Sequence, residues 1–128
     1  MDKYSILFAD DDEFIRKIYG DRFKAAGFDV VMADSVEATE RALETGSFDL
    51  ICIDYLFANK TGLDLLKWIR EEKKITLPVI VFSASGQDAE IKKFMDAGAT
   101  EYIQKDQTKP SEFIEKIKQI IQSHKQHA

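Results

Sequence analysis

Five short apolar stretches, Tyr4 to Ala9, Phe28 to Met32, Phe48 to Ile53, Val79 to Phe82 and Glu101 to Ile103, alternate with five segments whose apolar residues recur at helical spacing. Strands separated by helix-length segments pair in parallel through crossovers, so the pattern predicts a βα unit repeated five times. The first, third and fourth stretches are nearly continuously apolar, as strands read when helices cover both faces of a sheet. The expected architecture is a three-layer α/β sandwich. At 128 residues the chain buries roughly two thirds of its unfolded surface as a single domain.

Phe14, Ile15, Ile18 and Phe23 stripe a first helix that ends at Gly27, where glycine accepts the left-handed conformation. Asp34 with Glu37 forms a capping-box pattern for a second helix ending near Gly46, and Thr61 with Asp64 opens a third carrying Leu63, Leu66 and Ile69. Ser85 with Asp88 opens the fourth, in which Ile91, Phe94 and Met95 precede Gly98. Phe113, Ile114, Ile117, Ile120 and Ile121 stripe the fifth. The domain is expected over 1–123, with 124–128 a frayed tail. His124 and His127 are spaced to hold a metal on a helix, but no further ligand lies nearby in sequence, and a solvated terminus is the expectation.

A net charge of −5 and a pI near 5.0 lack the basic face that attracts nucleic acid. No apolar stretch approaches the roughly 18 residues that span a bilayer, and the first residues lack the features of a secretory signal. The expectation is a cytoplasmic protein that touches neither membrane nor nucleic acid. Cys52, the one cysteine, lies within an apolar strand and reads as core packing. Glu71-Glu72-Lys73-Lys74 and Lys92-Lys93 read as solvated helix surface.

Chemistry collects where the strands stop. The run Ile6-Leu7-Phe8-Ala9 halts at Asp10, Asp11 and Asp12; Leu50-Ile51-Cys52-Ile53 halts at Asp54; Ser83 follows the fourth strand and Lys105 the fifth. Open α/β sheets bind ligands beyond the carboxyl ends of their strands, at the point where strand order reverses. If the order is 2-1-3-4-5, strands one and three are neighbours there and Asp10, Asp11 and Asp54 converge. Two carboxylates 4 Å apart repel by about 4 kcal/mol at an effective dielectric of 20, so a cation is expected. Oxygen ligands without His or thiolate suit Mg²⁺ or Mn²⁺.

From Ile6 to Ala9 with Asp10 and Asp11, through Asp54, Gly62, Pro78, Ser83-Ala84 and Gly98-Ala99 to Lys105, the chain resembles the receiver domain of bacterial response regulators. The resemblance implies a flavodoxin-like (βα)₅ fold with strand order 2-1-3-4-5. It also implies a phosphoacceptor role in a two-component or phosphorelay system, rather than a dedicated turnover enzyme. The donor would be a sensor histidine kinase or a histidine phosphotransfer protein. By the same resemblance Asp54 is the acceptor and, with Asp10, Asp11 and the backbone carbonyl of Leu56, holds the metal. Ser83 is the switch hydroxyl, Lys105 the phosphoryl-pairing cation, and Tyr102 the aromatic that turns inward on activation. Output would leave through the face made by helix four, strand five and helix five, by dimerisation, a downstream protein or an effector region outside this chain.

Two departures stand out. The family's usual prolines four residues past the acceptor and directly after the lysine are Ala58 and Asp106 here, so the Lys105–Asp106 peptide is expected to be trans. Asp12 reads as a first-turn residue favoured by the helix N-terminus rather than a ligand. Leu56 and Ser85 stand at positions that tune phosphoryl lifetime in receivers. An aspartyl phosphatase would need an acid where Leu56 stands, and a flavin or nucleotide module a phosphate-cradling loop where Asp10-Asp11-Asp12 would repel it. A receiver-like interaction module that is never phosphorylated is the remaining alternative.

Overall fold

The computed structural model describes residues 3–57, 60–84 and 86–126. Five parallel strands, β1 (Ser5–Ala9), β2 (Asp29–Ala33), β3 (Leu50–Asp54), β4 (Val79–Ser83) and β5 (Glu101–Gln104), form one sheet in the order β2-β1-β3-β4-β5. The helices are α1 (Glu13–Ala25), α2 (Val36–Thr45), α3 (Gly62–Lys67), α4 (Asp88–Asp96) and α5 (Pro110–Gln126). The order 2-1-3-4-5 therefore holds, and β1 pairs with both β2 and β3, Ala9 lying opposite Ala33 and Ile53.

The period-2 geometry of a strand divides the apolar runs between two cores. Ile6, Phe8, Leu50, Cys52, Ile80 and Phe82 face one way, against Phe23 of α1 and Phe113 and Ile117 of α5. Leu7, Ala9, Ile51, Ile53, Val79 and Val81 face the other, against Leu65 and Leu66 of α3 and Phe94 of α4. Each fully buried Leu, Ile, Val or Phe contributes about 1.5–3 kcal/mol, so continuous apolarity in β1, β3 and β4 is what double-sided burial selects. The edge strand β2 alternates instead, with Val31 exposed and Ala33 buried.

Helix ends refine the sequence expectations. Asp12 caps α1, its Oδ1 accepting from the backbone N–H of Phe14 and Ile15 at 2.9 and 3.3 Å. Ser35, not Asp34, caps α2, its Oγ accepting from Ala38 N–H at 3.0 Å; the shorter hydroxyl at the extended position wins the bond. Thr61 precedes α3 without a side-chain capping bond, and Gln87 stands at the N-cap of α4. Ser85 and Ala58 lie outside the described residues. Gly27 and Gly98 take positive φ, +90° and +106°, which closes α1 and α4. The expected frayed tail is helical through Gln126, where Lys125 pairs with Asp49 at 3.0 Å and lies over the Tyr4 ring. His127 lies outside the described residues. No described helix is long and apolar enough to cross a membrane.

The third helix changes pitch: a π-helical turn, Trp68–Glu72, follows α3 directly. It carries Arg70, which donates from Nε to Gly98 O at 2.9 Å and from Nη1 to Ile75 O and Leu77 O at 2.7 Å each. One guanidinium thus ties the loop before β4 to the turn between α4 and β5. Replacing Arg70 with Met keeps the aliphatic stem but strands three carbonyls. The expected loss is about 2–3 kcal/mol, read as a lower denaturant midpoint at unchanged m-value.

Candidate functional site

Parallel pairing in register brings the carboxyl ends of β1, β3 and β4 to one edge. Asp10 sits at the end of β1 and is buried; its backbone N–H donates to Ala33 O at 3.1 Å, extending the ladder by one residue. Its Oδ1 accepts from Asp12 N–H at 2.9 Å and its Oδ2 from Lys105 Nζ at 2.8 Å. Asp11 beside it is exposed, and Asp54 closes β3 half-buried. Carboxylate oxygens of Asp10, Asp11 and Asp54 all lie within 4.8 Å of one another.

Lys105 follows β5 in a short 3₁₀ turn, its peptide to Asp106 trans, and reaches back across β4. Its ammonium lies 5.5 Å from the centre of the Phe82 ring, 2.8 Å from Asp10 Oδ2 and 3.5 Å from Asp54 Oδ2. Burial draws the Lys105 pKa down, but the hydrogen bond and charge of Asp10, with those of Asp54, outweigh it and the net displacement is upward. Asp54 is pushed up to about 6, first by burial and then by the charge of Asp10; Lys105 and the Tyr55 backbone N–H pull the other way. Among the described residues, the Lys105 ammonium pairs with two of the three carboxylates, Asp10 and Asp54. At 4.8 Å each carboxylate pair repels by about 3–4 kcal/mol at a dielectric of 20. The three carboxylates are close enough together to hold a metal ion.

Ser83 is buried at the end of β4, the strand next to β3. Tyr102 of β5 hydrogen-bonds it, and burial raises the Tyr102 phenol against that bond. The Tyr102 ring packs edge-on to Phe94 of α4, 5.8 Å between centroids, so it stands against the core rather than in solvent. Leu56 begins a two-residue antiparallel ladder with Lys60–Thr61, Leu56 opposite Thr61, which holds its backbone two residues beyond Asp54.

Arg16 escaped the sequence, and Gly62 was a point of resemblance there without a role. Arg16 donates from Nη1 to the Asp10 backbone carbonyl at 2.8 Å, pinning the strand end that carries the acid pair; only its place one helical turn past Asp12 hints at this. Gly62 donates its N–H to Tyr55 O at 2.6 Å, and a Cβ there would collide with the Asp54 backbone carbonyl oxygen. Its glycine is thus required by close approach, not by φ.

A doubly wound parallel sheet with an acidic cluster, a buried hydroxyl and a lysine at the reversal of strand order is a flavodoxin-like α/β domain whose clustered carboxylates could hold a metal ion. Residues 6–118 match the response regulator receiver domain, and the chain belongs to that family. It is 29% identical over 119 residues to the polar-differentiation response regulator DivK of Brucella ovis, spanning 91% of this chain and 95% of that one. It is 25% identical over 118 residues to the phosphate regulon transcriptional regulatory protein PhoB of Pseudomonas aeruginosa, covering 91% of this chain but 51% of PhoB. The chain thus spans about half the length of PhoB and nearly all of DivK. Among solved structures, a CheY-like receiver from Methanospirillum hungatei JF-1 superposes with TM-score 0.91 at 22% identity, covering 99% of this chain and all of that one. The receiver domain of Francisella response regulator 1452 gives 0.87 at 25% identity, covering 95% of this chain and 99% of that one. The chain is a receiver domain of two-component response regulators, a family whose members interact with histidine kinases and downstream effectors.

Proposed function

We propose that Asp54 accepts a phosphoryl group from a phosphohistidine on a sensor histidine kinase or histidine phosphotransfer protein. The observation that carries this reading is the convergence of Asp10, Asp11 and Asp54 within 4.8 Å, with Lys105 reaching two of them. In the transfer an Asp54 carboxylate oxygen forms a bond to phosphorus as the P–N bond breaks, and the imidazole leaves with a proton. Phosphoryl transfer asks mainly for positioning and neutralisation of the phosphoryl oxygens. Lys105, already held between Asp10 and Asp54, lies beside the oxygen that attacks.

Mg²⁺ or Mn²⁺ fits the cluster, because the donors are clustered carboxylate oxygens with no His or thiolate among them. Asp10, Asp11, Asp54 and the carbonyl of Leu56 would hold it. When bound, such a cation supplies positive charge to the transferring phosphoryl group. The other residues act without it: Ser83 donates to a phosphoryl oxygen, Tyr102 follows Ser83, and the face of α4, β5 and α5 changes shape, passing the signal to a downstream protein, an effector region or a second copy. The domain spans 1–123, works in the cytoplasm, and is a phosphorylated signalling element that assists its own phosphorylation and slow dephosphorylation, without dedicated turnover.

Incubation with a small acyl phosphate and Mg²⁺, followed by intact-mass measurement, tests the acceptor role: a gain of one phosphoryl mass is expected, and an unchanged mass would favour an inert interaction module. Mg²⁺ is also expected to raise the melting temperature. Asp54 titrates near 6 against an ordinary 3.8, so its contribution to folding is fullest below about 4 and is lost as pH rises through 6. The Mg²⁺ effect should accordingly be larger at pH 8 than at pH 5, and Asp11→Asn should diminish it at both. Equal melting temperatures with and without Mg²⁺ at pH 8 would contradict the metal assignment.

A further inference from the structure

Glu90, in the first turn of α4, takes no part in the chemistry above, yet its Oε2 is buried and has no hydrogen-bond partner among the described residues. A buried carboxylate oxygen without a donor has given up water and received nothing in exchange. Such groups are few in native folds and call for a specific explanation.

The surroundings supply one. The Tyr55 hydroxyl, just past β3, hydrogen-bonds the Glu90 carboxylate. The Glu90 charge also reaches the Tyr102 phenol. Phe94, four residues along α4 and so on the same helix face as Glu90, packs against both tyrosine rings, 5.5 Å from Tyr55 and 5.8 Å from Tyr102 between centroids. Two phenols, one from beside the acceptor and one from the switch strand, thus feel the charge of one carboxylate and share Phe94 as a packing partner. Tyr102 is engaged by Ser83, the hydroxyl that the phosphoryl group recruits.

We propose that Glu90 is a positioning residue of the switch: its unpartnered oxygen accepts the Tyr102 hydroxyl when Ser83 turns toward the phosphoryl group. The inference rests on the phosphoacceptor reading. Tyr102 then trades a neutral hydrogen bond for a charge-assisted one, the stronger kind. The same exchange satisfies the orphaned oxygen and draws the start of α4 against β5, which links the acceptor to the proposed output face.

Beryllofluoride with Mg²⁺ serves as the phosphoryl mimic, and NMR of ring-labelled tyrosine follows Tyr102. In wild type, Tyr102 resonances shift on binding. Glu90→Leu should lose most of that shift and bind the mimic about tenfold more weakly, the cost of one hydrogen bond to a charged group. Glu90→Gln, which keeps an acceptor oxygen, should recover most of both. Tyr102→Phe removes the same bond from the other side and should weaken binding equally, so the test does not depend on any one variant folding. In the Tyr102→Phe background, Glu90→Leu should add nothing. A Glu90→Leu protein with wild-type affinity and a wild-type Tyr102 shift overturns the proposal, as does full additivity of the two substitutions. Failure of the wild type to bind beryllofluoride at all would instead remove the phosphoacceptor reading and the inference with it.

Discussion

Asp54→Asn protein treated with a small acyl phosphate and Mg²⁺ is expected to gain no phosphoryl mass, and in the absence of both it is expected to be more stable than wild type. The first outcome follows because an amide offers no anionic oxygen to attack phosphorus. The second follows from the cost of the native carboxylate. Burial and the charge of Asp10 raise Asp54 to about 6, so near neutral pH the folded protein carries a charge it would hold more comfortably unfolded. Asparagine keeps the shape and removes the charge, while Lys105 retains its 2.8 Å contact with Asp10. The shift corresponds to about 3 kcal/mol before screening by solvent at this half-open edge, which leaves a gain of about 1–2 kcal/mol. The sign is fixed by the direction of the shift: the gain is full above pH 6 and has mostly gone by pH 4, where folded Asp54 is protonated. Chemical denaturation at pH 8 and pH 4 measures it. An Asp54→Asn protein less stable than wild type at pH 8 would mean that the acidic cluster is not strained.

Gly62→Ala is expected to cost about 1–3 kcal/mol in stability and to slow phosphorylation by about 10–100-fold at temperatures where the variant is folded. Gly62 is drawn in by its own N–H, bonded to Tyr55 O at 2.6 Å, and the atom a methyl would strike is the Asp54 backbone carbonyl oxygen. No flexible side chain stands there to yield. Either the start of α3 moves out or the Asp54–Tyr55 peptide rotates, and both change the aim of the acceptor. Gly27→Ala is the control: at φ +90° with nothing within 4 Å of the added carbon, it strains the backbone by about 1–2 kcal/mol without touching the edge where the carboxylates meet. Initial rates of mass gain for the two variants separate misplacement of the acceptor from simple destabilisation. Equal rates would show that the close approach at Gly62 does not position Asp54.

Much of the site was legible because the residues that end strands are set apart by composition. A polar residue after four apolar ones is visible without a structure, as at Asp10, Asp54 and Ser83; Asp11 stands beside the first, and Lys105 comes just past the fifth strand, after Gln104. Less was legible at helix starts. Asp34 and Ser35 are both good capping residues, and only the backbone, extended at Ser35 with φ −151° and ψ 163°, selects between them. Arg16 and Glu90 were hidden for a related reason. A charged residue on an amphipathic helix reads as solvated surface, and little local marks the one that turns back to a carbonyl or buries a carboxylate oxygen.

The chain alone determined the alternation of strand and helix, the doubly buried strands, and the kinds of group delivered to their ends, since each follows from burial free energy and local periodicity. Sheet order came with the family resemblance and was confirmed by pairing; the distances did not follow from either. That Lys105 rests at 2.8 Å on Asp10 rather than equally on Asp54, that Arg16 pins Asp10, and that Gly62 stands against the acceptor's carbonyl were decided only in three dimensions. Contacts between residues 51 or 95 positions apart depend on how two packed layers set the register of the sheet, and no window of sequence contains both partners.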